Sequence, residues 1–175
     1  MSKQPSSPRL FFRSIEPEDL PLILSWRNSD SVRPFMPHQA QITKEQHAHW
    51  YETVVLSDDH HYWIFGLSKT QELLGVAHLK NLNRKLRCAE SGLYIVDTSM
   101  REQGLGREAY QAMFSYGLDE LDLTWLYANI LRSNNVSISF HRDLGFQDSP
   151  PQAETPPSST HPPDVLRLFL TDLNL

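Results

Sequence analysis

The sequence alternates short apolar runs, which are typical of strands, with stretches that have helical periodicity. The strand-like runs are residues 10–15, 62–67, 73–79, 88–96, 123–131 and 165–171. Helical spacing or a helix-start signal marks residues 16–27, 43–55, 107–121 and the segment that begins at residue 134. These runs predict the element order βααβββαβαββ, in which two strands follow the last helix. The predicted architecture is α/β, a mixed sheet with helices on both faces.

Two segments lack such periodicity. Residues 1–8 are polar and carry prolines, so we predict a disordered tail. Residues 148–163 are rich in proline and serine and contain too few apolar residues to order themselves, which predicts a mobile loop. This loop does not separate two domains, because the strand-like run at 165–171 has to join a sheet. We therefore predict one domain over residues 9–175.

Composition narrows the functional class. The 175 residues are 39% apolar and 21% charged, as in soluble globular proteins. A formal net charge of −5 and the lack of a basic run argue against a nucleic-acid partner. No apolar stretch reaches membrane-span length, and the N-terminus lacks the apolar segment of a signal peptide. A single cysteine cannot form an internal disulfide, and we expect a cytoplasmic protein without a membrane partner.

The histidines do not predict a metal site. The closest pairs are His47 with His49 and His60 with His61. Residues two apart on a helix do not face each other, and neither pair has acidic or thiol neighbours at ligand spacing. We therefore expect no bound metal ion.

A glycine-containing turn joins the run at 88–96 to the helical stretch at 107–121. Its sequence is Arg101-Glu-Gln-Gly-Leu-Gly106. Glycines let backbone N–H groups approach each other without interference from a Cβ atom, and the following helix directs its free N–H groups and positive dipole end into the turn. This junction is typical of an anion site, and phosphate is the usual anion. A plain turn is the alternative, because a glycine pair alone is a weak signal.

A second motif strengthens the phosphate interpretation. Residues 134–146 read Asn-Asn-Val-Ser-Ile-Ser-Phe-His-Arg-Asp-Leu-Gly-Phe. The two motifs together resemble the GNAT superfamily of N-acetyltransferases, whose pyrophosphate loop reads Arg/Gln-x-x-Gly-x-Gly/Ala and whose later helix carries Asn, a tyrosine seven residues on, and Gly-Phe. Arg101, both loop glycines and Asn134 match, whereas His141 stands at the tyrosine position. The resemblance implies the GNAT fold, a mixed and mostly antiparallel sheet flanked by helices on both faces.

The resemblance also implies acetyl-CoA as the acetyl donor. Its pyrophosphate would lie on the backbone N–H groups of residues 103–107, with positive charge added by Arg101 and Arg107. The strand before the loop would offer backbone groups to the pantetheine. Asn134 would bond the pantetheine arm or, in the alternative interpretation, cap the helix. The predicted acetyl-CoA residues are Tyr94, Ile95, Val96, Arg101, Gln103, Gly104, Leu105, Gly106, Arg107, Asn134 and Ser137.

Transfer of acetyl to an amine needs a base, an oxyanion donor and preferably an acid. Glu90 lies early in the strand that would reach the acetyl group, where related enzymes often place a glutamate that acts through water. A glutamate on a solvated strand face is the alternative. His141 falls on the same helix side as Asn134 and Ser137, so we predict that it protonates the departing thiolate in place of the tyrosine. A surface histidine is the alternative there.

The acceptor end is predicted from residues 26–51. Trp26-Arg27-Asn28 followed by Val32-Arg33 resembles the subgroup that contains the ribosomal-protein N-terminal acetyltransferases and the enzyme that acetylates a UDP-linked 4-amino sugar in pseudaminic acid synthesis. The segment 42–51 looks more like the sugar enzyme, so we expect a small nucleotide-linked amino sugar as the acceptor.

Cations suit the phosphates of such a sugar, and an aromatic ring suits its base or sugar face. The predicted acceptor residues are Arg27, Arg33, His38, His47 and Trp50. Two alternatives stay open, a protein N-terminal amine as the acceptor and a non-catalytic acetyl-CoA-binding module. A homodimer is a further open expectation.

Overall fold

The computed structural model describes residues 3–150 and 162–171. Its strands are β1 Leu10–Ser14, β2 His61–Leu67, β3 Leu73–Asn83, β4 Cys88–Ile95, β5 Trp125–Leu131 and β6 Val165–Leu170. Its α-helices are α1 Leu20–Asn28, α2 Lys44–Trp50, α3 Leu105–Leu121 and α4 Asn135–Asp143. In this part of the chain, no helix is long and apolar enough to cross a membrane.

The six strands form one sheet in the order β1-β2-β3-β4-β5-β6. Neighbouring strands are antiparallel except β4 and β5, which run parallel because α3 carries the chain back between them. β4 and β5 pair only from Cys88 with Trp125 to Glu90 with Tyr127. Beyond that point β4 continues beside β3, and β5 continues beside β6. The two strands therefore separate, and we call the gap between them the wedge.

Helices cover both faces of the sheet, which confirms the predicted architecture. α3 packs on one face through Ala109 and Met113, in an apolar cluster that includes Leu126 of β5. α1 packs on the opposite face, where Ile23 shares a cluster with Val76 of β3. Successive strand residues point to opposite faces, so the two clusters use alternate positions of the same strands. We call the side covered by α1 and α2 the acceptor face.

The predicted element order is confirmed as far as the last helix. Among the described residues a single strand, β6, follows α4, so the second predicted strand is wrong there. In its place, Gln147 forms one isolated bridge with Phe169 of β6. A lone bridge forms because the chain touches the sheet edge at that residue only.

Two helix boundaries differ from the prediction for local reasons. The helix predicted from residue 107 begins at Leu105, because Gly104 takes a left-handed conformation that ends the turn earlier. The helix predicted over 43–55 begins with the expected capping box of Thr43 and Gln46. It leaves α-helical geometry after Trp50 and continues as a π-helical turn, Tyr51–Val55.

The predicted tail and loop are only partly described. Residues 151–161, most of the predicted proline-rich loop, lie outside the described residues. In the predicted tail, Lys3 Nζ lies 2.7 Å from Glu120 Oε1, and Gln4 Nε2 donates to Ser14 Oγ at 3.4 Å. The division into a tail and a single domain stays a prediction.

Candidate active site

The glycine loop, residues 101–106, leads directly into α3. Gly104 has φ +76° and is the N-cap of α3, a left-handed conformation that suits glycine. The N–H groups of residues 102–107 make no backbone hydrogen bond within the described residues. A Cβ atom at Gly104 would meet only Arg9, 3.5 Å from Nη2, so the backbone is open on that side. Free N–H groups, an open backbone and a helix N-terminus fit the pyrophosphate of a CoA ester.

Arg9 supports this loop, and sequence reasoning missed it. Its Nη1 donates to the carbonyl of Gln103 at 3.2 Å, and its Nε lies 2.5 Å from Glu108 Oε2. Burial alone would raise the pKa of Glu108, but hydrogen bonds from the Arg9 backbone and from the Ser7 and Arg9 side chains lower it. The ionised Glu108 thus holds a cation beside the loop. No local signal marks Arg9, because it lies in the first strand region of the chain.

The two predicted phosphate-binding arginines have structural partners. Arg101 Nη2 donates to the carbonyls of Ile95 and Ser31, both at 2.9 Å. Arg107 Nη2 donates to the carbonyl of Asp143 at 3.1 Å. Arg101 therefore ties the loop to β4 and to the α1–α2 connection, and Arg107 ties α3 to α4. Direct contact of their remaining N–H groups with phosphate stays a prediction.

The backbone of β4 corrects one predicted set of donors. The N–H of Val96 donates to the carbonyl of Leu74 at 2.9 Å, so Val96 faces β3. In an antiparallel ladder every second residue bonds to the same neighbour, so Tyr94 also faces β3, while Leu93 and Ile95 face the other way. The prediction is therefore wrong for the backbone of Tyr94 and Val96. Leu93 and the N–H of Ile95 therefore face the wedge, whereas the Ile95 carbonyl is bonded by Arg101. Leu93 was missed because the sequence does not show the ladder phase.

Asn134 caps α4. Its Oδ1 accepts a hydrogen bond from the N–H of Ser137 at 3.1 Å, as the capping interpretation predicted. Its Nδ2 makes no hydrogen bond to the described residues, so that nitrogen is free to donate to a ligand carbonyl. The two interpretations of Asn134 are compatible, because they use different atoms.

His141 is buried and hydrogen-bonded, and its predicted role as the acid stays a prediction. The side chain is only 6% exposed, and its Nδ1 lies 2.7 Å from the carbonyl of Ser137. A carbonyl only accepts, so Nδ1 carries the proton and Nε2 accepts the hydroxyl of Tyr110 at 2.7 Å. Burial lowers the pKa of His141 to about 4, against a smaller raising effect of the Ser137 carbonyl. The ring is neutral at pH 7, and both nitrogens are occupied.

A buried polar chain therefore joins α4, α3 and β4. Tyr110 is 1% exposed, and burial raises the pKa of its hydroxyl far above the ordinary value, against a smaller lowering effect of the nearby Ser91 hydroxyl. Ser91 Oγ donates to the carbonyl of Tyr127 at 3.2 Å, just beyond the last β4–β5 pair. Ser137, predicted to face acetyl-CoA, turns its Oγ toward His141 instead, at 3.3 Å. These contacts fix α4 relative to the base of the wedge.

Glu90 lies at the base of the wedge, as the strand position predicted. It is 9% exposed on the acceptor face. Its Oε1 lies 3.1 Å from Lys80 Nζ, and its Oε2 accepts from Asn81 Nδ2 at 3.1 Å. Both carboxylate oxygens of Glu90 therefore have a partner among the described residues. Its role as the base stays a prediction.

A row of rings lines the acceptor face beside the wedge. His47 stacks on Trp50 with ring centroids 4.9 Å apart, and Trp50 meets Tyr62 edge-on at 5.2 Å. Tyr62 in turn lies 5.2 Å from the ring of His78, a residue that sequence reasoning missed. A Cβ atom at Gly92 would lie only 2.7 Å from two atoms of the His78 ring. We call these four rings the aromatic row.

The positive charge of Arg27 lies near the aromatic row. Its Nη2 donates to the carbonyl of His38 at 2.7 Å, but its Nη1 is buried and has no hydrogen-bond partner among the described residues. Burial lowers the pKa of Arg27, and the nearby phenol of Tyr94 raises it slightly. Burial and the charge of Arg27 also lower the pKa of His47. Three predicted acceptor residues, Arg27, His47 and Trp50, are thus brought together.

The other two predicted acceptor residues take different positions. Arg33 begins the turn Arg33–Phe35 between α1 and α2, where its Nη2 lies 3.4 Å from Asp30 Oδ1. Its Nε is buried without a hydrogen-bond partner in the described ranges. His38 contributes its carbonyl to Arg27 rather than its ring. Within residues 3–150 and 162–171, no cluster of three or more His, Cys, Asp or Glu side chains can hold a metal ion.

The chain is similar to several known proteins in sequence or in fold. One curated relative, an N-acetyltransferase 9-like protein of Nematostella vectensis, is 39% identical over 61 residues, which cover 35% of this chain and 31% of that protein. Spermidine N-acetyltransferase of Vibrio cholerae, solved with CoA and spermine, superposes with a TM-score of 0.76 at 18% identity and covers 94% of this chain and 97% of its own. A domain from Methanocaldococcus jannaschii gives 0.75 at 20% identity, with 93% and 97% covered.

These structural likenesses show the fold, and the family comes from the sequence. The family described as the acetyltransferase (GNAT) domain matches residues 9–147, which include the glycine loop, the wedge and α4. That range covers well over half of the chain, and it is the same range in which the two motifs and their geometry lie. The chain therefore belongs to the GNAT family of acetyltransferases.

Proposed function

We propose that the protein transfers the acetyl group of acetyl-CoA to a primary amine on an anionic acceptor, a small nucleotide-linked amino sugar. Bound acetyl-CoA supplies a thioester that an amine can attack directly, so no covalent enzyme intermediate is needed. The chain's own residues bind and orient the two substrates on either side of the wedge.

Several N–H groups without hydrogen-bond partners among the described residues support the proposed acetyl-CoA site. The N–H groups of residues 102–107, with Arg9 beside them, suit its phosphates. The N–H groups of Leu93 and Ile95 and the Nδ2 of Asn134 suit its amide groups and the acetyl oxygen. Pre-oriented N–H groups of this kind stabilise the oxyanion that forms during acyl transfer.

The observation that carries the anionic acceptor is the unpaired Nη1 of Arg27. A buried guanidinium N–H without a partner costs free energy, and a phosphate oxygen would satisfy it with a charge-assisted bond. The rings of Trp50 and Tyr62 offer apolar faces to a sugar or a base. A nucleotide-linked sugar combines both features.

Spermidine is the second candidate, because solved spermidine N-acetyltransferases share the fold. A polyamine is cationic and needs free carboxylates. At the wedge, however, Glu90 is already bound by Lys80 and Asn81, and Arg27 would repel the ligand. The charge distribution therefore favours the anionic acceptor.

The test measures CoA release with a UDP-linked 4-amino sugar, spermidine and a peptide with a free N-terminal amine. We expect the sugar nucleotide to have the highest kcat/KM. Arg27→Gln should raise its KM by ~10-fold or more, the loss of a charge-assisted hydrogen bond, and leave the acetyl-CoA KM unchanged. Arg84→Gln, a change at an exposed arginine, is the matched control. Preferred turnover of spermidine or of the peptide, with Arg27→Gln like wild type, would refute the proposal.

A further inference from the structure

His78 lies opposite Gly92, a residue of β4 that has no side chain. It pairs with Gly92 across the β3–β4 ladder, two residues beyond the last residue of β4 that pairs with β5. A side chain at position 92 would collide with its ring, since a Cβ atom would lie 2.7 Å from both Cε1 and Nε2. The imidazole therefore lies against the β4 backbone at the opening of the wedge, on the acceptor face.

The imidazole of His78 is neutral and has a free lone pair, although its surroundings make it a weak base. Burial lowers the pKa of His78 well below the ordinary value, and the positive charges of Lys80 and His60 lower it further. Neither ring nitrogen makes a hydrogen bond to the part of the chain that the structure describes, and the ring packs against Tyr62. A neutral imidazole keeps one nitrogen lone pair, which is free here.

The two residues predicted to carry the proton chemistry have their accepting atoms bonded to other groups. The carboxylate of Glu90 is bound by Lys80 and Asn81. The accepting nitrogen of His141 is occupied by the hydroxyl of Tyr110, on the opposite face of the sheet. His78 also lies near the wedge, and neither of its ring nitrogens is bonded to a described residue.

We propose that His78 accepts the proton that the acceptor amine loses during acetyl transfer, which rests on the proposed function. The acceptor reacts in its neutral amine form, after the ammonium has lost its first proton to solvent. The amine nitrogen forms a bond to the acetyl carbon, and the bond from that carbon to sulfur breaks. The nitrogen passes a proton to the neutral imidazole, the sulfur leaves as a thiolate that gains a proton from water, and the imidazolium releases its proton to solvent. A bound anionic acceptor favours the transient imidazolium, because an opposite charge stabilises it.

The first test needs no turnover. In protein without acetyl-CoA, the ¹⁵N shifts of the His78 ring should report a neutral imidazole at pH 7 that protonates only below its reference pKa of ~6.5. Lys80, Glu90, His60, Tyr62 and Tyr94 face this part of the sheet, so the titration should be read against theirs. A cationic His78 at pH 7 would overturn the proposal.

The second test measures variants with whichever amine wild type acetylates best. A wrong proposal for the acceptor then changes only the choice of amine, whereas a wrong proposal for His78 changes the kcat of the variants. His78→Gln should lower kcat by ~100-fold, a typical loss for a general base, with acetyl-CoA affinity by calorimetry within twofold. His49→Gln, at an exposed histidine, should behave as wild type. Gly92→Ala keeps the imidazole but displaces it, and should lower kcat by at least ~10-fold.

A proton-transfer role of His78 predicts rescue by an added base, whereas a structural role does not. Added imidazole should restore part of the activity of His78→Ala, because a small base can occupy the vacated space. A failure of imidazole to restore activity, a His78→Gln kcat within threefold of wild type, or a Gly92→Ala enzyme with wild-type kcat would each overturn the proposal. If His78→Gln does not fold, the Gly92→Ala result and the ring titration decide.

Discussion

The neutral, buried His141 predicts an acid-sensitive stability. Its pKa is about 4 in the folded protein, against an ordinary value of 6.5. Between these values the unfolded chain binds a proton at this residue and the folded protein does not, so stability falls as the pH falls from 6.5 toward 4. At about 1.4 kcal/mol for each pH unit, the full loss is about 3 kcal/mol. Above pH 6.5 the contribution is fully present.

His141→Tyr removes this titration and leaves a hydroxyl that can bond with Tyr110. We expect the variant to lose about 2–3 kcal/mol less than wild type when the free energy of unfolding is compared at pH 7.5 and pH 4.5. The assay is urea unfolding at both pH values, with coincident fluorescence and circular dichroism transitions. Other titrating groups contribute equally to both proteins, so the difference isolates residue 141.

The matched control is His49→Gln, which removes an exposed histidine and should keep the wild-type acid slope. His141→Phe also lacks the titration, but it leaves the buried Tyr110 hydroxyl without its partner, so it should be about 1–3 kcal/mol less stable than His141→Tyr at both pH values. The reasoning fails if wild type and His141→Tyr lose the same free energy between pH 7.5 and pH 4.5.

Three further predictions concern the binding and catalytic groups. Gly104→Val forces a branched side chain into φ +76° and covers the loop, so acetyl-CoA affinity measured by calorimetry should fall by ~10-fold or more, about 1.4 kcal/mol; unchanged binding in a folded variant would contradict the phosphate site. Glu90→Gln should reduce kcat by less than ~10-fold, far less than a lost general base, and a loss of ~100-fold would make Glu90 the base instead. Arg33→Ala with Trp50→Ala should raise the acceptor KM by ~10-fold and leave the acetyl-CoA KM alone, whereas the reverse result would place this segment at the donor.

The sequence predicted the features that depend on local signals. The glycine loop was found because a strand, two glycines and a helix follow one another, and its geometry at Gly104 is the left-handed one that glycine permits. The capping role of Asn134 and the capping box at Thr43 were also predicted, because both depend on residues close together in the sequence. The element order followed from alternating and helical apolar spacing, except at the chain end, where one bridge replaced a strand.

What the sequence missed depends on contacts between distant segments. Arg9 reaches Gln103, and Arg101 reaches Ser31, across separations that no periodicity reveals. His141 occupies the position expected from helical spacing, yet its chemistry is set by Tyr110 on another helix. His78 is an ordinary strand residue until the ladder register places it opposite Gly92. In each case the sequence did not show which residue of a distant segment lies beside the side chain.

The proton chemistry of acetyl transfer does not require an acid at position 141. A thiol with a reference pKa of ~8.5 costs only about 2 kcal/mol to release as a thiolate at pH 7, whereas an alkyl amine with a pKa of ~10.4 costs about 5 kcal/mol to deprotonate. The greater need is therefore for a proton acceptor at the amine, the role that we propose for His78. The neutral His141 is bonded to Tyr110 and Ser137 and ties α4 to α3. By this argument His141→Tyr should alter the acid stability of the protein while its kcat stays within ~10-fold of wild type, and a larger change in kcat would return the acid role to this position.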